Sequence, residues 1–138
     1  MQRGPNPGGG ARDRGQPIQI HAARSIIEFQ ETVRRYGETP IGWLAKTGAL
    51  GEDTVIGHGI FLNDHPFLHY PHADDFSLLR DSGAQVAHCR VVFARRGIAM
   101  NTLDRYRKAG IRCGIGTDTF PHNNPLSSTW CGPDHRQE

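Results

Sequence analysis

Four short runs of β-branched and apolar residues, each followed by a turn and then a stretch with helical spacing, restrict this chain to folds built from successive βα units. They are Pro17 to His21 (PIQIH), Thr54 to His58 (TVIGH), Ala84 to His88 (AQVAH) and Ile111 to Asp118 (IRCGIGTD). Strands that alternate with helices at this spacing pair in parallel, because each crossover returns the chain to the same edge. Between the runs, Ile26, Ile27, Phe29 and Val33 gather near one face of a predicted helix while Glu28, Glu31, Arg34 and Arg35 take the other. Ser25 is placed to cap that helix, and Glu28 three residues later completes a capping box. Further helices are expected over 41–46, ending at Gly48, over about 74–80, and near 102–108. Gly37, Gly83 and Gly110 fall where helix ends favour a residue tolerant of positive φ.

The chain has 138 residues, one domain's worth or a piece of a larger domain. A complete eight-stranded βα barrel needs roughly 250. The first 16 residues hold five Gly and two Pro with almost nothing apolar, and are expected to be flexible. Residues 17–123 carry the repeating βα pattern, and 124–138 read as an irregular tail that includes Trp130. Sixteen Lys plus Arg against fourteen Asp plus Glu leave a formal charge of +2, and the basic residues are scattered, so no nucleic-acid footprint is visible. No apolar run approaches the ~18 residues of a membrane span, and the N-terminal stretch has no apolar secretory core, so a soluble, cytosolic protein is expected. Cys89, Cys113 and Cys131 lack CxxC spacing and are expected to be buried free thiols.

Each run ends in a residue that can bind a metal or move a proton: His21, His58, His88 and Asp118, at intervals of 37, 30 and 30 residues. One βα unit takes about thirty residues, so these are successive strand ends. In a parallel α/β sheet or barrel the C-terminal strand ends face one rim, where active sites are built. Imidazole and carboxylate are ligands that zinc and related ions accept, and an ion that keeps one water lowers its pKa toward ~7. A lone histidine at a strand end is usually a hydrogen-bonded loop residue; four in register are not so easily explained. The loop from Phe61 to Asp75 adds His65, His69 and His72, the last two in HxxH spacing, but its Pro and aromatic content reads as a solvated lid or packing loop. A phosphate-cradling reading fails because GIGTD lacks GxGxxG or GxxxxGK spacing.

The run IQIHAARS, the GH of VIGHGIFL, the VAHC before the third crossover and the terminal GIGTD together resemble strands five to eight of the amidohydrolase superfamily, in its chlorohydrolase and cytosine-deaminase-like branch, over about residues 11–123. The resemblance implies an α/β fold, about four βα units of a (β/α)8 TIM barrel. It implies one divalent metal ion, zinc ahead of iron, ligated by His21 and Asp118. Asp118 would also accept a proton from the attacking water, and His58 would orient that water and polarise the substrate carbon. His88 and Arg24 would stand beside the ligands or line the substrate pocket, with Phe67, His69 and Tyr70 as further candidates for its lining. The implied chemistry is metal-activated hydrolysis of a carbon–nitrogen (not peptide) or carbon–halogen bond in a small, cyclic substrate.

Three positions depart from the family pattern. The family's HxH of the first strand, which supplies two further ligands, occurs nowhere in these 138 residues. Arg24 stands where many deaminating members have a Glu, and Arg90 follows Cys89 where the family has Pro. A guanidinium cannot shuttle protons near pH 7. The alternative expectation is a catalytically inactive half barrel that holds metal weakly and self-associates through its open sheet edges as a homo-oligomer.

Overall fold

A computed structural model describes residues 16–94, 96–98 and 103–118. Its four strands, β1 (Ile18–Ala22), β2 (Thr54–His58), β3 (Gln85–His88) and β4 (Cys113–Ile115), form one sheet in the order β1-β2-β3-β4. All neighbours are parallel, with Ile20 opposite Ile56, Ile56 opposite Val86, and Val86 opposite Cys113. The helices are α1 (Ile26–Tyr36), α2 (Pro40–Lys46), α3 (Asp75–Ser82), α4 (Arg90–Ala94) and α5 (Leu103–Lys108). Sequential strands that pair in parallel, each joined by a helical crossover, give the singly wound order expected of a segment of a (β/α)8 barrel.

Local chemistry fixes the helix ends. Ser25 caps α1 by accepting from the Glu28 N–H at 3.1 Å. The Glu28 carboxylate reaches past Ser25 and accepts from the N–H groups of Ala23 at 3.1 Å and Arg24 at 2.9 Å, so the expected capping box is displaced toward the end of β1. It thereby ties the strand-to-helix turn that carries Arg24. Gly37 closes α1 at φ +70, and Gly83 closes α3 at φ +72. Thr39 caps α2, where Pro40 occupies the first turn and gives up no intrahelical bond.

Side-chain alternation sorts the strands into two faces. Ile18, Ile20, Ile56, Val86 and Cys113 meet Ile41, Leu44, Leu79 and Tyr106 from the helices, and this layer is the main core. The opposite face carries small and polar positions, among them Gln19, His21, Gly57 and Gly114. A second, smaller cluster of Ile60, Phe61, Val92 and Phe93 roofs the strand ends.

The loop after β2 is held by a buried carboxylate. Asp75 accepts from the Asn63 N–H at 2.8 Å and from the Thr39 hydroxyl, while Asn63 accepts from the Asp75 N–H at 3.0 Å. Burial pushes the Asp75 carboxyl up to about 6, against the pull of these donors. His65 is fully buried, its ring tilted against that of Phe61 with centres 4.5 Å apart and its Nδ1 accepting from the Phe67 N–H, so this part of the loop packs; His69 and His72 are exposed.

Several boundaries differ from the sequence reading. The fourth strand covers only Cys113–Ile115 within the expected 111–118, and the short α4 was not anticipated in the VVFA segment. Cys89 is a buried free thiol, whereas Cys113 is half-buried. Residues 1–15 of the flexible segment expected over 1–16, the tail over 124–138, Cys131 and Trp130 lie outside the described residues.

Candidate metal centre at the strand ends

His21, His58 and Asp118 meet at the C-terminal rim of the sheet, with one ligand atom from each lying within 4.8 Å of the others. Each arrives differently. His21 sits in β1 on the face away from the helices, directly opposite Gly57 of β2. Its ring crosses the neighbouring strand so closely that a Cβ at Gly57 would lie 2.6 Å from His21 Cδ2. Any side chain at position 57 would push the imidazole off β2.

His58 belongs by alternation with Ile56, on the helix side. Its φ of +81, followed by Gly59 at +59, turns the strand end and brings the imidazole back across the rim. The ring then lies 4.8 Å from that of His21, edge to face. A non-glycine residue in this region costs about 1–2 kcal/mol, and such strain gathers at sites where side-chain aim matters. The turn is held from below: the buried Tyr106 hydroxyl donates to the Gly59 carbonyl. Asp118, three residues past the end of β4, also has a positive φ, +66, and presents its Oδ1 at 3.9 Å from His58 Nε2.

His88 does not join them. It shares the parity of Val86 and has no such turn, so it stays on the helix side, 1% exposed, with its ring 6.1 Å from that of Tyr106. Three of the four strand-end residues thus meet at one point, whereas His88, expected beside the ligands or in the substrate pocket, packs on the helix side and does not border their cavity.

Burial dominates the electrostatics of His58 and holds its imidazole below the ordinary value of 6.5; the Asp118 carboxylate pulls the other way, while His21 and Arg24 reinforce the depression. A neutral imidazole at neutral pH is what a metal ligand or a hydrogen-bond acceptor must be. Its buried Nδ1 has no hydrogen-bond partner among the described residues.

Two imidazoles and a carboxylate suit zinc and other borderline divalent ions. Ligand atoms sharing one ion at ~2.1 Å are at most ~4.2 Å apart, so a widest separation of 4.8 Å needs a closure of roughly half an ångström. Rotation of the exposed His21 and Asp118 side chains can supply that, and the donor set fits such an ion.

The three residues border a cavity of about 360 Å³. Arg24 and Ser25 enter from the β1–α1 turn, Val92 and Phe93 from α4, and Arg96 from the segment after it. Phe93 packs edge-on against His58, ring centres 5.4 Å apart, and walls the imidazole on its apolar side. Arg24 was expected here; Phe67, His69 and Tyr70, also expected in the lining, do not border this cavity. Val92, Phe93 and Arg96 were missed, although the apolar start of VVFARRG, three residues after the strand-end His88, was legible as a wall for the rim.

The described residues have counterparts in known proteins. The chain is 30% identical over 116 residues to the 5-methylthioadenosine/S-adenosylhomocysteine deaminase of Halobacterium salinarum, covering 84% of this chain and 25% of that protein. The deaminase of the same name from Thermococcus onnurineus gives the same identity and coverage. The chain thus spans about a quarter of the length of these relatives. Among solved structures, an adenosine deaminase from Xanthomonas campestris with bound zinc superposes with a TM-score of 0.69 at 21% identity, over 85% of this chain and 25% of that one. An atrazine chlorohydrolase variant from Arthrobacter aurescens, complexed with zinc and atraton, superposes with a TM-score of 0.62 at 23% identity, over 78% of this chain and 22% of the other. A profile of the amidohydrolase family matches residues 10–131, and the chain belongs to that family.

Proposed function

We propose that this chain provides one side of the active site of a metal-dependent hydrolase acting on carbon–nitrogen or carbon–halogen bonds of a small, cyclic substrate. The observation that carries the reading is the convergence of His21, His58 and Asp118 on one cavity from three strands. Deaminases among the relatives and a chlorohydrolase among the structural neighbours support the bond classes. His21 and Asp118 would hold one divalent ion, zinc in the first place since two structural neighbours were solved with it. When bound, that ion would supply Lewis acidity, acidifying water and polarising the substrate.

The protein residues then have distinct tasks. Asp118 takes the proton from the attacking water and returns it to the leaving group. His58, kept neutral by burial and walled by Phe93, orients the water through its Nε2 edge and stabilises charge developing at the attacked carbon. Arg24 cannot act as a general acid near pH 7, so proton delivery to the leaving group falls to Asp118. No HxH occurs in these 138 residues, so the ion is weakly held by this chain alone compared with closed four-ligand sites.

The test is release of ammonia or chloride from methylthioadenosine, S-adenosylhomocysteine and atrazine by a zinc-loaded complete barrel of which this chain forms one side. Turnover of at least one substrate is expected, with Asp118→Asn lowering it by ~10³-fold or more. Turnover unchanged in that variant, or none with any of the three, would overturn the reading. A second reading, self-association, has its own support: β1 and β4 have no outer strand partner among the described residues. Sedimentation equilibrium giving a well-folded monomer would exclude it.

A further inference from the structure

The cavity beside His21, His58 and Asp118 is bordered by two guanidiniums, Arg24 and Arg96, and by one carboxylate. Neither cation is consumed by the fold. The Arg24 side chain is 61% exposed, and its ion pair to Glu28 is long, at 3.9 Å. Glu28 itself is occupied with the N–H groups of Ala23 and Arg24. Arg96 has no ion-pair partner among the described residues and is exposed. The two arrive from different elements, the β1–α1 turn and the segment after α4, so they flank the cavity without belonging to one helical face.

An arginine held at a cavity mouth with its donors uncommitted is suited to an oxyanion, because the planar fork matches carboxylate and phosphate geometry. Two such groups against the single carboxylate of Asp118, itself assigned to the ion, leave the cavity electropositive where a substrate would lie.

We infer that Arg24 and Arg96 form an anion subsite, and that the substrate is a small molecule carrying an oxyacid group, a carboxylate or phosphate, at a distance from the bond that is broken. This deepens the hydrolase reading and rests on it for the word substrate. The subsite itself depends only on the two arginines. It gives Arg24 a role in place of the proton transfer it cannot perform.

The experiment is a calorimetric titration of the full chain, stripped of metal with a chelator, with benzoate, phenyl phosphate and the neutral isostere benzamide. Benzoate or phenyl phosphate is expected to bind at least tenfold more tightly than benzamide, and the tighter of the two identifies the oxyacid. Arg24→Gln and Arg96→Gln should each reduce that preference at least threefold, and the double variant should abolish it. Both side chains are exposed, so the variants are expected to keep the wild-type circular dichroism spectrum. Arg24→Lys and Arg96→Lys should retain part of the preference. Equal binding of anion and amide, or a preference that survives in the double variant, would overturn the inference. Because the titration is metal-free, its failure is separable from failure of the hydrolase reading, which is scored by turnover and zinc loading.

Discussion

Replacing Gly57 with alanine tests how the sheet aims His21. A Cβ at this position would lie 2.6 Å from His21 Cδ2 and 3.3 Å from Nε2, where ordinary contact begins at 3.4 Å, so the ring must retreat by about 0.8 Å. Gly57 is not in the positive-φ region, so the backbone accepts alanine and the whole effect falls on the imidazole. His21 is exposed and can swing outward, so the loss of stability should stay at the low end of overpacking, about 1 kcal/mol. Zinc affinity should suffer more. Misplaced orientation of a ligand costs about 10–100-fold in affinity, or roughly 1.4–2.8 kcal/mol. The assay is competition for zinc with a chromophoric chelator, run beside thermal unfolding. Gly114→Ala on β4 is the control, because a Cβ there meets nothing within 4 Å. A folded Gly57→Ala protein with wild-type zinc affinity would refute the placement of His21 as a ligand.

Three further outcomes are expected. Because burial lowers the folded-state value for His58 below 6.5, its contribution to stability is complete above that pH and is lost as pH falls through the folded value. Asp75, raised to about 6, acts in the opposite sense: its contribution is present below 3.8 and is lost as pH rises through about 6. Urea midpoints between pH 5 and 7 for wild type and His58→Gln isolate the His58 slope, and parallel curves would count against a buried neutral imidazole. Asp75→Ala strands the Thr39 hydroxyl and the Asn63 N–H, and should cost on the order of 3 kcal/mol in urea unfolding at pH 7; a change under 1 kcal/mol would show that these donors find other partners. Tyr106→Phe removes the hydroxyl that supports the Gly59 carbonyl, with an expected stability loss of about 1–2 kcal/mol and, in the complete barrel, lower turnover through the displaced His58 turn. Turnover left at the wild-type level would contradict the coupling.

Period and turn chemistry made the βα order legible before any coordinates. The apolar–polar spacing of 26–36, the cap at Ser25, and the left-handed glycines at 37, 83 and 110 are local effects, and local effects are written in sequence. Strand-end spacing also placed His21, His58 and Asp118 on one rim. His88 shows where that reasoning stops. The interval of thirty residues fixes which end of the sheet a residue occupies, but parity fixes the face, and His88 lies two residues after the core-facing Val86. The same parity applies to His58, and only its positive φ and the glycine after it reverse the outcome. The GH-G spelling of 57–59 was a visible hint of such a turn. The capping box displaced by one and two residues and the unanticipated α4 are of another kind: both depend on what the neighbouring strand end leaves unsatisfied or uncovered, which no local window contains.

The central claim is that His21 and Asp118 hold one ion beside His58. It is tested most directly by cobalt(II) titration of the full chain, followed by visible d–d absorption, with His21→Ala and Asp118→Ala in parallel. One saturable, weak site is predicted in the wild-type chain, with its absorption lost in both variants while His69→Ala leaves it intact. Cobalt absorption that persists in His21→Ala and Asp118→Ala, or a wild-type chain that gives none, would contradict the account.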